Sequence, residues 1–281
     1  MQKLDIVGAI GRAYVAIARR GGDFVALAWL PWAFGILVVV LLAFDWLHLL
    51  SSPLPLWLAQ VAQAPFLAMI AVAILRFVQF DARPRGAFHI EFRKPVALSS
   101  AILTATLLVA PGIDTVLDQT TRISLVWMIE LVLLRPGHEI LGNYLLTAPM
   151  LPLYASYGVR WLAANGLFVT SYLLIGANVA ATSGEKGLLI TMLRRQVFRV
   201  LLFIFLLSLS MIPLKLVYLS ALYLVHWPLP DDWLAAPLVE AASLLISYVL
   251  LAPTGTPLNL IEAVLSMVAV GIIFRAAAQS R

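Results

Sequence analysis

From residue 24 to residue 44 the chain carries no charged side chain, and nearly every position is Val, Leu, Ile, Ala, Phe or Trp. A helix rising 1.5 Å per residue needs about 20 apolar residues to cross a hydrocarbon core of about 30 Å. This run meets that length. Trp29 and Trp32 near its start have amphipathic rings that favour the membrane interface. The run is too long for the apolar part of a signal peptide, so it reads as an uncleaved span. Such runs recur along a chain that is 62% hydrophobic and 12% charged, against roughly half and a quarter in an ordinary soluble domain. A chain of this kind lacks the polar residues to cover itself in water. Burial in lipid removes the difficulty, provided that every backbone polar group is paired internally, as in a helix.

The pattern therefore predicts an all-α fold, a polytopic helical membrane bundle in which residues 1–281 form a single integral membrane domain. Six spans are expected, near residues 24–44, 56–75, 96–113, 143–162, 197–218 and 258–274. The third opens on Arg93, Lys94 and Pro95, and proline at a helix start loses no hydrogen bond. Three further apolar segments, 123–134, 167–181 and 234–252, leave eight spans as the alternative. The first is short and contains Glu130, so it reads as interfacial or re-entrant. The second follows span four after only residues 163–166. The third contains Glu240 and stops at the Pro253-Thr-Gly-Thr-Pro257 run.

Positive charge decides the orientation, because Lys and Arg are retained on the cytoplasmic side of short loops. Most of the 19 cations fall in alternate loops. Lys3, Arg12, Arg19 and Arg20 precede span one; Arg76, Arg83, Arg85, Arg93 and Lys94 join spans two and three; Lys186, Arg194, Arg195 and Arg199 precede span five; Arg275 and Arg281 follow span six. The opposite loops carry Asp45, Asp114, Asp118, Asp231 and Asp232, with only Arg122 and Arg135 as cations. A multi-pass protein of a bacterial inner membrane, with both termini cytoplasmic, is the expected result. Placement beside spans also assigns the net charge of +5 to membrane topology, so no nucleic-acid partner is expected. The absence of cysteine excludes disulfides, thiolate metal sites and cysteine nucleophiles.

Residues 1–22 form an amphipathic cytoplasmic helix by pattern. Val7, Ile10, Tyr14 and Ile17 recur at intervals of three and four, with Asp5, Arg12 and Arg19 opposite. Such a helix lies in the interface against anionic headgroups, or packs on the ends of the spans. A basic cluster followed by an apolar run and a proline occurs three times: Arg19-Arg20 to Pro31, Arg93-Lys94 to Pro111, and Arg194-Arg195 with Arg199 to Pro213. Three helical hairpins, each introduced by an interfacial helix, account for that layout.

The basic start ahead of span one, Arg76-Phe77-Val78 followed by Arg83-Pro84 and Phe92-Arg93-Lys94, and Arg275 closing the last span carry a resemblance. In this layout the chain resembles uncharacterised proteobacterial multi-span proteins related to the membrane portion of glycerophosphoryl diester phosphodiesterases. The resemblance implies a helical membrane fold without assigned catalytic residues. The phosphodiesterase domain has no counterpart in these residues, so its activity is not implied.

Polar groups at membrane depth are costly enough to be default functional candidates. Five stand out. Gln60 and Gln63 share one face of span two just before Pro65; Arg160 ends span four; Lys215 lies late in span five; and Glu262 lies early in span six, one turn after Asn259. Lys215 and Glu262 fall at matching depth, which allows them to meet, as a gate or as a fixed ion pair between packed helices. Interhelical pairing and snorkelling explain these residues structurally, and a polar pathway explains them functionally.

His48, His138 and His226 fall on the outer side, but no two share a helix at metal-ligand spacing, so no metal site is expected. HExxH, GxSxG, phosphate-binding glycine loops and dinucleotide fingerprints are all absent, and no cofactor is expected. The resulting expectation is a non-enzymatic scaffold or envelope and lipid-homeostasis protein whose partners are membrane lipids, with anionic headgroups at the basic helices. The alternative is a small-molecule transporter or permease with a polar site between spans.

Overall fold

The computed structural model describes residues 5–48, 61–83, 94–133, 150–214 and 257–279. Among these the fold is all helix: α1 (Ile6–His48), α2 (Ala64–Phe80), α3 (Lys94–Leu133), α4 (Met150–Thr182), α5 (Leu188–Ser210) and α6 (Pro257–Gln279). Four of them, α1, α4, α5 and α6, contain stretches long and apolar enough to cross a membrane. Helix α2 and the Lys94–Ala110 part of α3 are shorter apolar helices. The 17 residues of α2 nevertheless extend about 26 Å, close to the thickness of a hydrocarbon core.

Helix α2 is the centre of the bundle. It packs against α1, α3, α4 and α6, and from Ile70 to Leu75 every side chain is buried. Alanines at 64, 68, 71 and 73 explain how neighbours approach from all sides, since small side chains let helix backbones come close. Helix α6 is the second central element, buried from Ala263 to Val270. The two meet where Gly271 faces Val78: a Cβ placed on Gly271 would lie 2.8 Å from the Val78 Cβ. Gly176 of α4 also lies against α6, at Val270 and Phe274, with 3.0 Å from its notional Cβ to the Phe274 ring. Helix α5 is peripheral, with Phe198 74% and Phe205 53% exposed.

Several boundaries differ from expectation. Residues 163–166 do not separate two segments: α4 is continuous from Met150 to Thr182, and Val159–Thr182 within it is long and apolar enough to cross a membrane, while residues 143–149 of the expected span lie outside the described residues. Residues 123–133 likewise continue α3 instead of forming a separate interfacial piece. The reason is the same in both cases, because an uninterrupted helix leaves no backbone N–H or C=O to be satisfied in an apolar medium. Helix α2 runs on to Phe80 and takes Arg76 into its last turns, ending where Asp81 turns left-handed at φ 53°. Pro95 occupies the first turn of α3, as its position predicts. Segment 234–252 lies outside the described residues.

Helix α1 joins the expected 1–22 helix and the first span in one element with an elbow at Arg20 (φ −123°, ψ 26°). Ahead of the elbow the buried face is Ile6, Ala9, Ile10 and Ala13, rather than the Val7, Ile10, Tyr14, Ile17 stripe. The alanines allow the closer approach, leaving Val7 74% exposed, while the Tyr14 hydroxyl donates to the Ser210 carbonyl of α5 at 2.7 Å. Helix α5 has an equivalent elbow at Gln196 (φ −143°, ψ 36°), directly after Arg194-Arg195.

The α2–α6 contact yields a direct test. Gly271→Val is expected to lower stability by about 1–3 kcal/mol through overpacking against Val78. Gly11→Ala, at an exposed position with open space around it, is expected to be neutral. Denaturation of the purified protein in detergent, followed by circular dichroism, measures both.

Candidate functional site: a polar vestibule where three helices end

Helices α2, α4 and α6 run side by side and finish at the same end of the bundle, as the juxtapositions of Gly271 with Val78 and of Gly176 with Phe274 require. Three C-terminal ends therefore meet, each carrying unpaired carbonyls and a partial negative charge. Two arginines answer that charge. Arg275 of α6 donates to the Val78 carbonyl in the last turn of α2 at 3.4 Å. Arg20, at the elbow of α1, donates to Asp23 at 3.1 Å and to Asp81 at 3.2 Å. Its guanidinium also lies 4.1 Å from the centre of the Phe77 ring, which meets Phe24 edge-on at 5.4 Å. The elbow is thus fastened to the end of α2 by the Arg20–Asp81 ion pair and a cation–π contact, while Asp23 pairs with Arg20 within α1 itself.

The turn from α4 to α5 closes the fourth side. Gly184 at φ 98° and Gly187 at φ 72° take the left-handed conformations that a side chain disfavours. The Glu185 N–H returns to the Ala180 carbonyl at 3.0 Å, stopping α4 and holding Glu185 beside the ends of α2 and α6. Between them is a cavity of about 360 Å³ whose polar lining is Gln79, Asp81, Ser183, Glu185, Arg275 and Gln279, with Phe80, Leu188 and Phe274 on its apolar sides.

Gln79 is buried in this lining. Its Nε2 donates to the Gly176 carbonyl at 3.3 Å, which fixes the amide orientation, since a flip would set oxygen against oxygen. Its Oε1 has no hydrogen-bond partner among the described residues. A buried acceptor left in this way costs about 1–3 kcal/mol unless something donates to it.

The intramembrane candidates lie elsewhere. Gln63, at the start of α2, is 1% exposed, and Glu262 in α6 is 9% exposed. Glu262 acts electrostatically on Tyr172, which is buried in α4, and Ser266 lies buried one turn further along α6. Arg160 is half-buried within α4. None of these three lines the cavity. Glu262 precedes Gln279 by enough residues to stand about 25 Å from the vestibule along the helix. Gln60 and Lys215 lie outside the described residues, as does any Lys215–Glu262 pair. No group of three metal-ligating side chains occurs among the described residues.

A second polar feature escaped the sequence reading. Thr106 of α3 meets Ser171 of α4 at 2.5 Å between hydroxyls, and Asn178 of α4 donates to the Pro95 carbonyl at 3.1 Å with Ser99 at 3.5 Å. Ser99 and Thr106 are one heptad apart, as are Ser171 and Asn178, so two antiparallel helices bring both pairs into register. That spacing is the signal that would have found them. Gln79 and Asp81 also carried a signal, being the first polar residues after the apolar run of α2 apart from Arg76.

No family model, curated protein or solved structure matches this chain.

Arg20→Met is expected to cost about 1 kcal/mol, because it removes two partly shielded ion pairs together with the ring contact. Arg12→Ala, whose pair with Asp5 is exposed on both sides, is expected to cost under about 0.5 kcal/mol. Chemical denaturation of both variants beside the parent measures the difference.

Proposed function

We propose that this chain is a non-enzymatic protein of a bacterial inner membrane. It crosses six times with both termini in the cytoplasm and serves as a scaffold or in envelope and lipid homeostasis by holding phospholipid headgroups at its basic elbows. The observation that carries this reading is the coincidence of helix breaks with arginine pairs. Arg20 is the non-helical position inside α1, and Arg194-Arg195 directly precede Gln196, the non-helical position inside α5. Arg19, Arg194 and Arg195 are exposed, and so are the large apolar side chains Val15, Leu193, Val197 and Phe198 nearby. Exposed cations beside exposed hydrophobic side chains suit a phospholipid, whose phosphate and acyl chain lie next to each other.

The repeated basic cluster supports the same reading, with an elbow in the first and third units and a helix start at Lys94 in the second. The resemblance to the membrane portion of glycerophosphoryl diester phosphodiesterases belongs to the proposal as well. A permease drew on Gln60, Gln63, Lys215 and Glu262 facing one cavity. The vestibule is lined by residues other than Gln63 and Glu262, and Gln60 and Lys215 lie outside the described residues.

Each surface cation contributes about 1 kcal/mol to anionic-lipid attraction, so Arg194→Gln/Arg195→Gln is expected to weaken phosphatidylglycerol retention about thirtyfold. Native mass spectrometry of detergent-purified protein titrated with phosphatidylglycerol against phosphatidylcholine reads this directly. Equal retention of the two lipids by the parent protein would sink the reading.

A further inference from the structure

We propose that residues 6–20 form a hinged arm that leaves the bundle to lie on an anionic lipid surface. This rests on the membrane reading above and gives its first elbow a switch. In this structure the arm is docked. Ile6, Ala9, Ile10 and Ala13 are buried, and the Tyr14 hydroxyl donates to the Ser210 carbonyl at 2.7 Å. That is the one hydrogen bond among the described residues that ties residues 6–19 to another helix. Its acceptor is a carbonyl that the end of α5 leaves over.

The docked position is not the headgroup layer. Ser210 stands about 21 Å of helix beyond the α5 elbow at Gln196. Between them, Ile204 lies 3.6 Å from a Cβ placed on Gly166, which precedes the end of α4 by about 24 Å of helix. This part of α5 therefore climbs away from the vestibule, and a helix lying flat beside the elbows does not reach Ser210. Docking also draws the Asp5–Arg12 ion pair, more than half exposed on both sides, toward an apolar medium. Charge at membrane depth is costly, which opposes the alanine packing and the Tyr14 bond.

The hinge lies beside Arg20. Gly21 and Gly22 follow that non-helical residue, neither has a positive φ, and a Cβ on either meets nothing within 4 Å. Glycine inside a helix costs stability relative to alanine, and neither packing nor conformation asks for it here. What the pair supplies is freedom to swing. Arg20 keeps its ion pair with Asp81 and its place on the Phe77 ring while the arm moves.

A second apolar face awaits the lipid. Val7 is 74% and Val15 48% exposed, with Gly11 and Ala18 also exposed on that side. Asp5, Arg12 and Arg19 recur every seven residues as a narrow charged stripe opposite the arc that the two apolar faces form together. At an interface that arc sinks among acyl chains, Arg12 and Arg19 stay at headgroup level, and Tyr14 has the amphipathic ring that favours this layer. The one net positive charge left after Asp5 selects anionic lipid.

The test is double electron–electron resonance on the full chain, spin-labelled at Val7→Cys and Phe205→Cys, two exposed positions in a chain without native cysteine. It compares phosphatidylcholine with phosphatidylglycerol nanodiscs. The docked distance is expected to dominate in phosphatidylcholine, and the ratio of a second, longer distance to it is expected to rise about fivefold in phosphatidylglycerol. Arg12→Gln, which leaves the arm without net charge, is expected to abolish that rise. Tyr14→Phe is expected to raise the ratio about fivefold in both lipids by removing the bond.

One unchanged distance in both lipids and in Tyr14→Phe would overturn the arm. A second distance populated alike in the two lipids would overturn anionic lipid as the surface that receives it. Loss of phosphatidylglycerol selectivity at Arg194-Arg195 would overturn the elbow reading alone, because the Tyr14→Phe shift in phosphatidylcholine does not depend on it.

Discussion

Val78 of α2 stands so near Gly271 of α6 that no side chain fits between them, and much of the bundle follows from that contact. It brings two helices close over their last turns and aligns their C-terminal ends. The alanines of α2 extend the close approach to α1, α3 and α4, so a helix of modest length becomes the element that most others touch. Where an apolar solvent removes the usual driving force for helix association, close packing between small residues is what remains, helped by hydrogen bonds between helices. Both occur here. The glycines at 176 and 271 serve the packing, and the Thr106–Ser171 and Asn178–Pro95 contacts serve the hydrogen bonding.

Alignment of three helix ends has an electrostatic consequence. Their carbonyls point into one region, which then attracts positive charge. Arg20 and Arg275 meet that demand from the protein, and Arg20 does so from the point where α1 breaks. The break is thereby tied to the core. Asp81 is the partner through which Arg20 reaches the end of α2.

Much of the fold was legible because it depends on length and period. Apolar runs long enough to span, Pro95 at a helix start and the arginine pairs preceding runs all have local causes, and the elbow at Gln196 falls at the point where span five was expected to begin. What failed depended on tertiary contact. Residues 163–166 look like a pause in the sequence, yet α4 runs through them. The buried face of the first helix was misplaced because Val7 and Tyr14 are more apolar or larger than Ala9 and Ala13, whereas close packing selects the small residues. For the site, searching for polar groups within spans led to Gln63, Arg160 and Glu262, which lie apart from the vestibule. The vestibule instead forms from residues just past the apolar runs, whose convergence depends on which helices run parallel, and no single stretch of chain carries that information.

The placement of the vestibule on the cytoplasmic side of a membrane is the claim on which the functional account stands. The chain contains no cysteine, so a single Lys186→Cys substitution in the α4–α5 turn reports accessibility without further changes. With a membrane-impermeant maleimide, the account predicts labelling in inside-out vesicles and none in intact spheroplasts. Labelling of Lys186→Cys in intact spheroplasts would contradict it.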